Sequence, residues 1–284
     1  MKNKYLFIAS LFAILLLEST CKKKTSDDPQ PLASSKIDKG CNDINLFGVA
    51  KDREFGKMAF DYFSNPDSSK LIVLDSAEYS KAYGYLNGIK NEILDKNNID
   101  NEKEFEWKLR IIRDDTTLNA FCTPGGYIFV YTGIIKYLEN EDDFAGVLGH
   151  EMGHAALRHS TQSMTKQYGT GIFLQALGYD RSILVNAIRQ LGSLSYSRCH
   201  ETQADEYSVS LLSGTKYKCN GAASFFEKLE ASGSSGPPEF LSTHPNPGNR
   251  VLSINIRADS LKCNKLIPFP GSGWAQFKSD LKLN

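Results

Sequence analysis

The sequence predicts an α+β fold that is mainly helical and carries one small antiparallel sheet. Apolar residues recur at three- and four-residue intervals through much of the chain, the period of a half-buried helix. Two-residue alternation is confined to Phe105–Arg113, and two short β-rich runs follow it. Just after them lies Val147–His159, containing His150-Glu151-Met152-Gly153-His154. That spacing has chemical meaning only on a helix, where positions four apart share a face.

At the N-terminus, Lys2 and Lys4 precede the apolar run Leu6–Leu17. The run has the length of a secretory h-region and is too short to span a bilayer comfortably, so residues 1–20 are expected to be a signal peptide. Cys21 follows Leu17-Glu18-Ser19-Thr20, resembling a bacterial lipobox with its aliphatic residue one place early, and is the expected lipidation site. Because a lone acyl chain binds membranes only marginally, a diacylated anchor is expected. Residues 21–45, rich in Lys, Ser, Asp and Pro, read as a flexible tether. The folded body is expected over 46–265, with 266–284 a C-terminal tail packed on it.

Within the body, Phe47, Val49, Phe55, Met58, Ala59, Tyr62 and Phe63 mark a helix that Asn65-Pro66-Asp67 breaks. Tyr79, Tyr83, Leu86, Ile89, Ile93 and Leu94 mark a second. Phe105, Trp107, Leu109 and Ile111 alternate with Glu106, Lys108 and Arg110, predicting a strand with one buried face. Leu118–Cys122 and Tyr127–Tyr131 read as two more strands around Pro124-Gly125-Gly126. An edge strand beside a metal can align an extended peptide, and Asn119 and Ala120 are the candidates; the alternative is a plain hairpin. Gly133–Glu139 predicts a short helix. Glu141, Asp142 and Asp143 suit the N-terminus of the next helix, which reads as continuing past His159 to about Lys166. Its glycines Gly146, Gly149 and Gly153 cost propensity and suggest close packing of another backbone. Gly169–Leu194 reads as two helices split near Gly178-Tyr179-Asp180; Asp180, Arg181 and Arg189 argue against a membrane span. Ser197–Leu212 predicts a further helix.

On the Val147–His159 helix, His150 and His154 can present two imidazoles to one zinc ion. Glu151 sits beside the metal and can take a proton from a water whose pKa zinc lowers to about 7. One zinc ion per chain is expected. A catalytic site needs a third protein ligand. The metzincin pattern fails at Leu157 and Ser160, and His159 lies about 140° around the helix from His154, which suits a surface or capping role. Glu201, four residues before Asp205, is the candidate third ligand, with Asp205 holding the outer N–H of His150. In Ser242–Arg250, His244 could donate to an oxyanion and Arg250 could contact substrate or hold a carboxylate; the alternative is a loop shaped by its prolines and glycine.

Lysine plus arginine equal aspartate plus glutamate at 33 each in 284 residues, so no global field points to nucleic acid. Five cysteines follow Cys21, namely Cys41, Cys122, Cys199, Cys219 and Cys263. An exported chain can oxidise some of them, but their pairing is not readable from sequence and none forms a CxxC pair.

Together these residues resemble the gluzincin zinc metallopeptidases of family forty-eight, the group of CAAX prenyl endopeptidases and HtpX membrane proteases, over about Leu46–Leu261. The likeness is to the periplasmic BepA and LoiP-like branch, in a lipoprotein form. It implies a zincin-type fold with the sheet beside the metal helix, and endopeptidase activity. By position, Asn119-Ala120-Phe121 and Pro124-Gly125-Gly126 match the family's edge strand, Glu201 and Asp205 its ExxxD, and Ser242–Pro245 with Arg250 its downstream motif. The resemblance links His244 to transition-state stabilisation or to occlusion of the resting site. It also implies unfolded or misassembled envelope proteins as substrates, a bacterial envelope location, and a membrane link through the N-terminal lipid. The alternative is an assembly or chaperone-like factor with latent protease activity.

Overall fold

In the computed structural model, residues 41, 43–179, 181–231, 238–246, 248–265 and 273–283 are described. All of them fall in one compact unit of the chain, Pro31–Asn284. The expected signal peptide, Cys21 and most of the tether lie outside the described residues. In chain order the elements are α1 (Val49–Ser64), α2 (Pro66–Ser69), α3 (Ser80–Asp95), β1 (Lys108–Ile112), β2 (Ala120–Thr123), β3 (Tyr127–Tyr131), α4 (Thr132–Tyr137) and α5 (Glu141–Ala156). There follow α6 (His159–Tyr179), α7 (Arg181–Leu191), α8 (Arg198–Leu212), α9 (Gly221–Ala231), α10 (Pro238–Thr243), α11 (Arg250–Leu261) and α12 (Trp274–Asp280).

Strand alternation divides the core in two. Ile128 and Val130 of β3 turn to one face, with Leu109, Ile111, Ala120 and Cys122, and pack under α3 and α5. Tyr127 and Phe129 turn to the other, where Ile112 and Phe121 meet Phe55, Ala59 and Phe63 of α1 and Ala187, Ile188 and Leu191 of α7. Phe121 stacks on Phe129 at 4.9 Å between ring centroids, and Phe63 meets both edge-on. The sheet is therefore covered on both faces, rather than on the single face that alternation in Phe105–Arg113 predicts.

The sheet is mixed, not wholly antiparallel. Its order is β1-β3-β2, with β1 parallel to β3 and β2 antiparallel to it. After β1 the chain crosses to the far edge through a loop gathered by Asp114, whose Oδ1 accepts from the Thr116 and Thr117 N–H groups. It then returns through Gly125 and Gly126, both at positive φ, which glycine tolerates without strain. That return drops β3 between the other two strands. β1 begins only at Lys108, because Trp107 adopts a φ of 44°. Val73 bridges to Ile112 on the outer side of β1, while β2 forms the other edge and packs beside α5.

Helix α5 is buried along its whole length. Asn140 caps it, its side chain accepting from the Asp143 N–H at 3.0 Å. The glycines of this helix do admit other backbones. A Cβ on Gly146 would stand 2.1 Å from the Ala222 nitrogen, and one on Gly221 2.1 Å from the Asp142 carbonyl oxygen, so α5 and α9 meet backbone to backbone. Gly149 and Gly153 face Ser208 and Ala204 of α8.

The helix does not continue to Lys166. Arg158 takes a φ of 62°, its guanidinium reaching Asp52 of α1 and the Phe47 carbonyl, and α6 starts afresh at His159. Helix α6 bends at Gly169 and ends at Tyr179, with α7 following from Arg181. No helix among the described residues is long and apolar enough to cross a membrane.

Two disulfides, Cys41–Cys199 and Cys219–Cys263, resolve the pairing, and Cys122 is a buried free thiol. Cys41 and residues 43–45, expected in the tether, are instead fastened to the body: Cys41 by its disulfide, Asn45 by donating to Thr161 Oγ1 at 2.9 Å. At the other end α12 packs on α3, with Phe277 stacked on Tyr85 at 4.9 Å.

Candidate metal centre

Helices α5 and α8 build the centre together. The small faces of Gly149 and Gly153 let α8 lie close, and Ser208 Oγ donates to the Gly146 carbonyl at 2.8 Å. Ser197 caps α8 by accepting from the His200 N–H, placing Glu201 in its first turn and Asp205 one turn on. The approach brings His150, His154, Glu201 and His244 into one buried group whose ligand atoms lie within 4.8 Å of one another.

Tetrahedral nitrogen and oxygen ligands about 2.0–2.2 Å from a zinc ion stand about 3.3–3.5 Å from each other. Here His150 Nε2 and His154 Nε2 are 3.0 Å apart, His150 Nε2 and Glu201 Oε2 3.5 Å, and His154 Nε2 and Glu201 Oε1 3.4 Å. His244 Nε2 and both Glu151 carboxylate oxygens are buried without a hydrogen-bond partner, while Glu201 Oε2 has the Arg250 guanidinium 3.2 Å away. Orphaned polar atoms so placed are costly unless a cation or substrate completes them. The donor set fits zinc.

The outer contacts are equally ordered. His150 Nδ1 meets Asp205 Oδ1 at 2.9 Å, and Arg250 holds the same carboxylate through Nε at 2.8 Å and Nη2 at 2.6 Å. Burial alone would raise the Asp205 carboxyl, yet Arg250 and His150 keep it below its ordinary value. Burial likewise opposes charge on His150, but Asp205 and Glu201 overcome it and lift its pKa to about 9. Glu201 is held well below the carboxylate range by His244, His150 and His154 against its own burial. Burial pushes Glu151 up.

His244 is completely buried, stacked on Phe240, with Nδ1 3.3 Å from Glu201 Oε1 and 3.4 Å from His150 Nε2. Its Nε2 approaches Glu151 Oε1 to 3.5 Å without hydrogen-bond geometry. It therefore stands where the open coordination position of a catalytic site would be.

The match to peptidase family M48 runs over residues 80–258, from the start of α3 into α11, and takes in every residue of this centre. The chain belongs to peptidase family M48. Among curated proteins it is 36% identical over 157 residues to the mitochondrial metalloendopeptidase OMA1 of Schizosaccharomyces pombe, covering 53% of this chain and 46% of that one. It is 28% identical over 161 residues to the β-barrel assembly-enhancing protease of Escherichia coli, covering 51% and 33%. Against the metalloprotease YcaL of Escherichia coli it is 26% identical over 273 residues, covering 92% and 100%. The chain thus spans less than half the length of the first two.

Within this M48 centre one residue departs from the sequence reading and another takes one of the two roles read for it. Arg250 holds carboxylates: it opens α11 fully buried, its guanidinium bonded to Asp205, 3.2 Å from Glu201 Oε2, and stacked on Phe226 at 3.8 Å. The carboxylate nearer to hand claims it. His159, expected in a surface or capping role, is completely buried against His154 at the first position of α6. At the edge strand, the Asn119 carbonyl accepts from the Tyr131 N–H, so that group is tied into the sheet. The same register turns the N–H and C=O of Ala120 and Cys122 away from β3, toward the outer edge of the sheet, where β2 is buried beside α5. Tyr196, which no sequence signal marked, stacks on His154 at 3.9 Å.

Proposed function

We propose that the chain is a zinc-dependent metalloendopeptidase of the bacterial cell envelope, cutting unfolded or misassembled envelope proteins. The observation that carries this reading is Glu151, whose carboxylate lies unpartnered beside the His150–His154–Glu201 donor group. Bound there, zinc supplies Lewis acidity toward water and the scissile carbonyl. An extended substrate pairs with the outward backbone groups of Ala120 and Cys122, next to α5. Glu151 takes the proton of the attacking water and returns it to the leaving amine. Asp205 and Arg250 hold His150 in place. His244 must swing aside before substrate enters, and once displaced it can donate toward the developing oxyanion.

In the proposed setting residues 1–20 direct export, Cys21 carries the lipid, and the tether holds the domain at a membrane. Support for envelope clients comes from the name of the β-barrel assembly-enhancing protease.

The test is Glu151→Gln. Zinc content is expected to stay unchanged while cleavage of an unfolded protein falls by at least two orders of magnitude, the reach of a general base. Cleavage at the native rate would sink the mechanism. The complete burial of His244 and Glu201 supports a second reading, a client-binding assembly factor whose proteolysis stays latent. A strain carrying Glu151→Gln that kept full envelope integrity would favour it.

A further inference from the structure

The zinc reading uses three of the five histidines and leaves His159 and His200 without a task. We propose that His159 is a positioning residue that selects the ring form of His154 able to ligate a metal. This rests on the zinc reading of the centre given above. His154 Nε2 is the nitrogen that faces the donor group, 3.0 Å from His150 Nε2 and 3.4 Å from Glu201 Oε1. To offer a lone pair there, a neutral His154 must carry its proton on Nδ1. That atom lies 2.9 Å from His159 Nδ1, which must then be a bare acceptor. The proton of His159 is left on Nε2, 3.0 Å from Gln203 Oε1, an amide oxygen that can only accept. Helices α5, α6 and α8 thus hold a directed chain, His154 N–H to His159, His159 N–H to Gln203, and one end of it is the ligand.

The surroundings restrict His159 to that duty. It is completely buried, and His200 stacks on its ring at 4.2 Å with planes 14° apart, while His200 Nε2 lies 2.9 Å from Asp43 Oδ2. Tyr196 already fixes the ring plane of His154 by stacking, so the distinct contribution of His159 is choice of tautomer. The acceptor also differs in kind between the two ligands: Asp205 for His150, an imidazole for His154. With Glu151, Glu201 and Asp205 already buried here, a neutral acceptor orders the second histidine without adding a fourth carboxylate.

Three substitutions separate this role from a packing role. Asparagine can set an amide oxygen near the place of Nδ1 and keep the acceptor. Glutamine sets its amide near Nε2, keeping Gln203 and losing His154. Phenylalanine fills the ring volume with no nitrogen. Each full-length protein, stripped of metal, is titrated with zinc against a chelating indicator, and its zinc-free unfolding midpoint is read alongside. His159→Asn is expected to bind within about threefold of native, and His159→Gln and His159→Phe about 10–100-fold more weakly, with losses beyond any fall in zinc-free stability. Native affinity in all three, or equal losses that only track stability, would overturn the proposal. In the zinc-loaded native protein, nitrogen-15 shifts must place the protons on His154 Nδ1 and His159 Nε2; the reverse assignment also overturns it. Failure of the native chain to bind zinc would instead remove the metal reading itself.

Discussion

At the scale of single residues, the centre depends on charges that have no water to fall back on. Arg250 and Asp205 are both about 98% buried or more and are joined by two hydrogen bonds. Removing one member of such a pair costs about 3–5 kcal/mol, because the other is stranded. Arg250→Ala is expected to lose that much in urea unfolding of the zinc-free chain, with Arg250→Lys intermediate; a change under about 1 kcal/mol would mean that His150 alone satisfies Asp205. The ligand spacing was legible in sequence because His150, Glu151 and His154 share one helix and Glu201 and Asp205 another, so periodicity alone sorts them. His159 was not. Its 140° offset holds only on an unbroken helix, and the left-handed Arg158 rotates it back beneath His154. That break is set by Asp52, more than a hundred residues away in sequence, where no local pattern reaches.

At the scale of elements, the molecule is specified by where backbones are allowed to touch. Gly146→Ala is expected to push α5 from α9, since its methyl would overlap the Ala222 nitrogen. Overpacking of this kind costs about 1–3 kcal/mol or more, against the few tenths to 1 kcal/mol that alanine would gain in an open helix. Thermal unfolding distinguishes the signs, and a stabilised variant would refute the close approach. The loop between β1 and β2 depends on Asp114, whose carboxyl is lowered to about 2 by bonds from Thr117 and Thr116. A folded pKa depressed below the ordinary 3.8 stabilises above about pH 4 and is lost as pH falls toward 2. For this partly exposed carboxylate the effect is about 1 kcal/mol after screening. Asp114→Asn is therefore expected to be less stable than native at pH 7 in metal-free buffer, with the gap closing below pH 4; a gap independent of pH would assign the loss to shape instead. The antiparallel pairing of β2 with β3 was legible in the turn between them, while the parallel pairing of β1 was not. Alternation tells which side chains share a side, but the insertion of β3 between β1 and β2 is decided by a crossing loop that carries no periodicity.

At the scale of the whole molecule, one covalent link ties the start of α8 to the segment before α1, and another ties the turn before α9 to the end of α11. Cys199 lies two residues before Glu201, and its partner Cys41 is 158 residues away, whereas Cys219 and Cys263 are 44 apart. Chain-entropy arguments put the two crosslinks at about 5 and about 4 kcal/mol. The sequence could count these cysteines without pairing them, because loop length constrains the unfolded chain and not the choice of partner. Replacing Cys41 and Cys199 by serine is expected to destabilise more than replacing Cys219 and Cys263, measured by denaturant unfolding under non-reducing conditions. The two losses should also differ in kind. The first frees the segment carrying Asp43 and Asn45 and the first turn of α8, so it should weaken zinc binding as well; the second ties the Lys218–Asn220 turn to the end of α11 and should leave zinc affinity near native. If both pairs changed stability and zinc binding alike, the crosslinks would be acting on the unfolded ensemble alone, and the segment held by Cys41 would have no particular hold on the metal centre.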